Sequence, residues 1–208
     1  MKIIPVPFAS LSQTEQAQFN NWLSDIRAVG NKSKRKRLAS SPPELLVFDN
    51  GAPLGSHHAS TTGNHFRITR DLLPVAVDLR RYFVAHELGH IEGFHPLITS
   101  FSGIAFTLSF ATGLILLNAQ RSGSSHPFLS AICLSLCIAS LAVLLIYNYT
   151  MWFEWDADRR GARMIGARAM TTGINLLMPI RGPALRTYYS KKKRRLAGLQ
   201  ASHWITRP

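Results

Sequence analysis

The chain has 208 residues, 46% of them hydrophobic, with 24 Lys and Arg against 11 Asp and Glu, a formal net charge of +13 at pH 7. Two cysteines, Cys133 and Cys137, are too few for a Cys-rich zinc site, and their place inside an apolar stretch points to packing rather than redox chemistry. That length supports one compact aqueous domain beside whatever segments enter a membrane.

Residues 1–43 read as a polar N-terminal helix and a basic linker. The helix is expected around residues 12–29, amphipathic through Phe19, Trp22, Leu23 and Ile26. Lys32, Lys34, Arg35, Lys36 and Arg37 follow, then Ser40-Ser41-Pro42-Pro43, where a helix does not continue. Residues 44–96 form the first half of the expected catalytic domain. Residues 44–48 read as a strand ending at the turn signal Asn50-Gly51, and residues 65–69 as a second strand with alternating apolar and polar residues. If the two pair, an exposed edge beside the next helix would accept an extended peptide by strand addition; the plainer alternative is a small structural sheet. His57, His58 and His65 lack helical spacing and read as loop or surface residues.

A helix is predicted over residues 77–95, bending at Pro96. It carries His86-Glu87-Leu88-Gly89-His90. Two histidines four apart share a helix face, so their rings converge on one ion. Glu87, on a neighbouring face, reaches a water on that ion rather than the ion itself and acts as general base. A zinc hydrolase needs a third protein ligand, with the fourth position open. His95 is one candidate: Gly93 fits the longer H-E-x-x-H-x-x-G-x-x-H pattern, but Pro96 occupies the position of its third histidine. Glu154 is the other, in Glu154-Trp155-Asp156-Ala157-Asp158, where Asp158 shares its helix face. One carboxylate would bind zinc and the other would accept a hydrogen bond from a ligand histidine, fixing its tautomer. The alternative is an acidic turn paired with Arg159 and Arg160 for solubility.

Residues 97–149 decide between the two candidates. An uncharged stretch of bilayer-spanning length runs from Leu97 to Asn118, and a second from Pro127 to Tyr149, separated by a short loop with one charge, Arg121. These read as a two-helix transmembrane hairpin, with Tyr147, Tyr149, Trp152 and Trp155 as an interfacial belt and Gly103, Ala105, Gly113, Ala131, Ser135 and Ala139 as small residues for close approach. A hairpin returns the chain to the side it left. Glu154 then rejoins His86 and His90 at one shallow depth, which favours it over His95. Residues 150–208 form the second half of the domain, with an apolar segment at 174–180 and a basic tail containing Lys191, Lys192, Lys193, Arg194 and Arg195. Basic runs flanking apolar spans report orientation and attraction to anionic lipid more simply than nucleic-acid binding. Both termini and the zinc site are therefore expected on the cytoplasmic side of an integral membrane protein, the inner membrane if the source is bacterial. No stretch near Met1 reads as a signal peptide, so the spans are expected to direct insertion.

The run from Arg81 to His95 resembles the HtpX-like and CAAX prenyl endopeptidase family of membrane gluzincins, which carry an H-E-L-G-H core and, after membrane helices, an E-x-x-x-D motif matched here by Glu154 and Asp158. Phe66-Arg67-Ile68-Thr69-Arg70-Asp71-Leu72-Leu73 resembles the segment leading into that helix, and the similarity covers residues 44–168. The resemblance implies His86, His90 and Glu154 as zinc ligands, Glu87 as catalytic base and Asp158 as the carboxylate behind a ligand histidine. Departures are the lack of an apolar span before the zinc helix and of a recognisable oxyanion-stabilising group, for which His203, Arg207, Tyr188 and Tyr189 are candidates. Ser202-His203-Trp204 only faintly matches the family's T-H-P element.

The expected fold is mainly α with a small β-sheet, a membrane-embedded gluzincin-like peptidase whose hairpin is inserted between the H-E-x-x-H and E-x-x-x-D helices. The expected function is zinc metalloendopeptidase action at the cytoplasmic membrane surface, on protein or peptide substrates that are themselves membrane-associated; the resemblance implies membrane-protein quality control through its HtpX-like members or processing of prenylated peptides through its CAAX branch. The alternative is a non-catalytic zinc-binding adaptor or regulator, against which Glu87 argues, since metal binding alone needs no base. An intramembrane site-2-type protease fits less well, because Arg80, Arg81 and Glu92 flank the motif and no apolar span encloses it.

Overall fold

A computed structural model describes residues 4–50, 59–62, 64–121, 127–149, 152–180 and 186–201. Gly51, His57, His58, His203 and Arg207 lie outside the described residues, as do the side chains of Tyr188 and Tyr189. In chain order the elements are α1 (Gln13–Gly30), α2 (Lys36–Ser40), β1 (Glu44–Phe48), β2 (Ala59–Thr62), β3 (His65–Thr69), α3 (Val77–Glu92), α4 (His95–Arg121), α5 (Pro127–Tyr149), α6 (Trp152–Ile165), α7 (Ala167–Ile180) and α8 (Arg186–Ala201). The protein is thus mainly helical with a three-stranded sheet. The chain divides into two compact units, one of residues 1–93 and 154–208, the other of residues 94–153.

In the first unit, α1 opens with a capping box: the Ser12 side chain accepts from the Glu15 amide, and the Glu15 carboxylate accepts from the Ser12 amide. Its inner face buries Trp22, Asp25, Ile26 and Val29. The sheet order is β1-β3-β2, with β1 parallel and β2 antiparallel to β3. Strands form at both expected places because Leu45 and Val47, like Phe66 and Ile68, alternate into the core. Strand β2 has no counterpart among the sequence expectations. Ala-Ser-Thr-Thr has no apolar alternation, and only Ala59 is buried; pairing with β3 makes it a strand and the edge of the sheet. The opposite edge is met by the N-terminal segment, where the Val6 amide donates to the Val47 carbonyl.

Helix α3 is buried on nearly every side, from Leu79 and Tyr82 through Val84, Ala85 and Leu88, so it lacks a one-sided apolar stripe. It ends at Glu92, earlier than the bend expected at Pro96. Gly93 caps it, Phe94 takes a left-handed φ of 58°, and α4 starts at His95 with Pro96 in its first turn, where a missing N–H costs no helical bond. Neighbouring helices reach α3 through small residues. A Cβ on Gly89 would lie 2.3 Å from the Ala157 carbonyl oxygen of α6, and one on Gly161 would lie 3.0 Å from that of Ala85. Likewise Gly173 of α7 meets Tyr82, where an added Cβ would be 2.2 Å from the tyrosine Cβ. The apolar run at 174–180 is the end of α7, with Ile174 and Leu177 in the core.

Charges also fasten this unit. Arg80 is buried and donates through Nε to Asp25 of α1 at 2.6 Å. Glu92, buried at the end of α3, accepts from the Lys34 amide at 3.3 Å and from Arg163 at 2.8 Å, while Arg35 donates to the Ile91 carbonyl at 2.7 Å. Part of the basic linker therefore satisfies the C-terminal end of α3, where helix carbonyls and a partial negative charge favour cations.

The second unit pairs α4 with α5. Among the described residues one helix is long and apolar enough to cross a membrane, over the 22 residues His95–Leu116; the apolar stretch Phe128–Ala142 of α5 is shorter. Large apolar side chains point outward from both helices, among them Phe101 at 73% exposed and Phe128 at 77%.

Candidate metal centre

The crossing of α3 and α6 at Gly89 and Ala157 sets the site. His86 and His90 lie one turn apart on α3, and Glu154 and Asp158 one turn apart on α6, so close backbone approach brings two imidazoles against two carboxylates. Ligand atoms of His86, His90 and Glu154 all lie within 4.8 Å of one another. The two Nε2 atoms are 3.2 Å apart, and Glu154 oxygens stand 3.2 Å from His86 Nε2 and 3.4 Å from His90 Nε2.

These separations fit a single ion. A tetrahedral site with bonds of about 2.0–2.1 Å has ligand–ligand edges of about 3.3–3.4 Å. The donor set also matches, with two imidazole nitrogens and one carboxylate. His86 is oriented from behind: Asp158 Oδ1 lies 2.7 Å from its Nδ1, which places a proton on Nδ1 and turns Nε2 toward Glu154 and His90. Tyr82 stacks on the same ring at 5.8 Å between centroids.

Burial and the Lys192 ammonium oppose a proton on His86, but Asp158 and Glu154 outweigh them and hold its pKa up at about 10. Burial would raise the pKa of Glu154, yet His86, His90 and Lys192 keep it far below the usual carboxylate range; Asp158, pressed upward by burial, is lowered by Lys192 and His86. Both carboxylates are therefore anionic, and the cluster is built around positive charge.

Glu87 is buried one residue from the first histidine, and Thr61 Oγ1 of β2 donates to its Oε2 at 3.2 Å. Lys192 of α8 is also buried, 3.3 Å from Glu154 Oε2 and 3.1 Å from Asp158 Oδ2. Sequence reasoning misses Thr61 and Lys192. Lys192 reads there as one of the orienting charges, although Leu196, buried one turn on, marks that face of α8 as inward; Thr61 lies in a strand without an apolar pattern.

His95 is not among the converging ligands; it is buried against Phe153, with ring centroids 4.4 Å apart. Nor does Arg160 pair with Glu154 or Asp158 as a solubilising turn would require. Its partners are Asp156 and Glu92.

Fold and donor set together define a mainly helical protein with a His-His-Glu group able to hold a metal ion. The sequence pattern of peptidase family M48 matches residues 59–203, a span that contains every side chain of this group, and the chain belongs to that family. It is 24% identical over 176 residues to Protease HtpX of Psychrobacter sp. (strain PRwf-1), an alignment covering 76% of this chain and 54% of that protein. The chain thus spans about half the length of this curated relative. No solved structure matches it.

Proposed function

We propose that this protein is an integral membrane zinc metalloendopeptidase, with His86, His90 and Glu154 as zinc ligands, Glu87 as general base and Asp158 as the carboxylate that orients His86. The observation that carries the reading is the convergence of three ligand atoms within 4.8 Å, with a further carboxylate beside the first histidine. Zinc held there supplies a Lewis acid for a peptide carbonyl and makes a coordinated water acidic near neutral pH. Glu87 takes the proton from the attacking water and returns it to the departing amine. Asp158 keeps the Nδ1 proton of His86 in place through the cycle.

The membrane part rests on the outward-facing apolar side chains of α4 and α5 and on the two uncharged stretches of the sequence. Their basic flanks favour a cytoplasmic site, and a peptidase on a membrane anchor favours membrane-associated substrates, as in quality control of membrane proteins. Zinc content separates the ligand candidates. Glu154→Ala in the purified, detergent-solubilised protein is expected to lose bound zinc, and His95→Ala to keep it; full zinc in Glu154→Ala with loss in His95→Ala would move the third ligand to His95.

A further inference from the structure

The catalytic base has a hydrogen-bond donor on the sheet edge. We infer that Thr61 is a positioning residue for Glu87, fixing one carboxylate oxygen so that the other faces the reacting water. This rests on the peptidase reading above and deepens it.

Glu87 is 5% exposed. A carboxylate at that depth needs a donor, and a glutamate has three side-chain torsions to restrain before its proton-accepting oxygen has a defined place. Among the described residues, Thr61 supplies that donor, with Oγ1 3.2 Å from Oε2. The strand is held firmly: Thr61 pairs with Phe66 of β3, which is fully buried, and β2 lies along α3. With Oε2 engaged, Oε1 remains to accept the proton. A hydroxyl suits this task, because a neutral donor orients the carboxylate without the positive charge of a lysine, which would weaken it as a base. Strand β2 is also the edge to which an extended peptide would add. The strand that would receive substrate therefore fixes the base.

The test is steady-state cleavage of fluorescently labelled casein by the zinc-loaded, detergent-solubilised protein, comparing native, Thr61→Val, Thr61→Ser and Glu87→Gln. Valine keeps the shape and strand preference of threonine while removing the hydroxyl, and serine restores the hydroxyl. Loss of one hydrogen bond to a charged group predicts a fall in kcat of about tenfold for Thr61→Val. KM should stay within about twofold and zinc content should not change, and Thr61→Ser should recover most of the rate. Three results would overturn the inference in an active enzyme: kcat for Thr61→Val within about twofold of native, a rise in KM alone, or equal losses in the valine and serine variants. If zinc-loaded native protein cleaves nothing, the peptidase reading fails and Thr61 has no base to position, an outcome distinct from the other three because those require an active native enzyme.

Discussion

Asp158 is buried to 2% exposure, and its 2.7 Å contact with His86 Nδ1 sets which nitrogen faces the ligand cluster. Partners of this kind cost about 10–100-fold in metal affinity when removed. Asp158→Ala should therefore bind zinc weaker by that factor in a chelator competition, with Glu87 and both histidines unchanged; unaltered affinity would show that His86 needs no orienting carboxylate. The same cluster predicts a pH dependence. Because His86 is held up at about 10 by Asp158 and Glu154 despite burial and Lys192, its imidazole carries an extra proton at neutral pH and must lose it to become a ligand. Zinc binding at pH 7.5 should release about one proton, visible as a calorimetric heat that changes with the ionisation enthalpy of the buffer. Apparent affinity should rise with pH across the neutral range and level off as pH approaches the His86 value. At this scale the H-E-x-x-H and E-x-x-x-D pairs are legible because ligand spacing is a local property of a helix. Lys192 is not: a run of five basic residues does not show which member turns inward, and only the phase of Leu196 hints at it.

Helix α3 and helix α6 meet where Gly89 has no room for a side chain. A methyl group at position 89 would lie 2.3 Å from the Ala157 backbone oxygen, which has no rotamer with which to give way. Gly89→Ala should force the helices apart, costing about 1–3 kcal/mol by the usual scale for overpacking and lowering the melting temperature. Because the same displacement separates His86 and His90 from Glu154, bound zinc should fall with stability. An alanine variant with native melting and native zinc would mean that the helices do not cross so closely. The small residues are visible in the sequence, but glycine in a metal motif does not announce which backbone it meets. Helix existence is also clearer than helix ends: the fully buried α3 gives no periodic stripe to count, and its break comes from the left-handed turn at Phe94 rather than from Pro96. Strand β2 is invisible in the sequence for a related reason, since its pairing with β3 comes from tertiary contact rather than from its own four residues.

Across the whole molecule, one long-range relation matters most: residues 86–90 and 154–158, far apart in sequence, share one unit while the intervening residues 94–153 form another. The His-x-x-x-His and Glu-x-x-x-Asp spacings on either side of those intervening residues match one helical turn each, so the two motifs are legible as partners from their spacing. What composition does not convey is how the aqueous unit is tied together, through Asp25 with Arg80 and through Glu92 with Arg163 and the Lys34 amide. Asp25, Arg80, Glu92 and Arg163, to which the sequence alone assigns no packing role, are internal fasteners.

We propose that the convergent histidines and carboxylates form a hydrolytic zinc site with Glu87 as its base. The most direct test is casein cleavage by native and Glu87→Gln proteins purified identically and matched for zinc. Equal zinc is expected in both, with cleavage by the native protein and a loss of at least about a hundredfold in the variant, the scale of general-base catalysis. Equal cleavage by both proteins at equal zinc, or none by the zinc-loaded native protein, would contradict it.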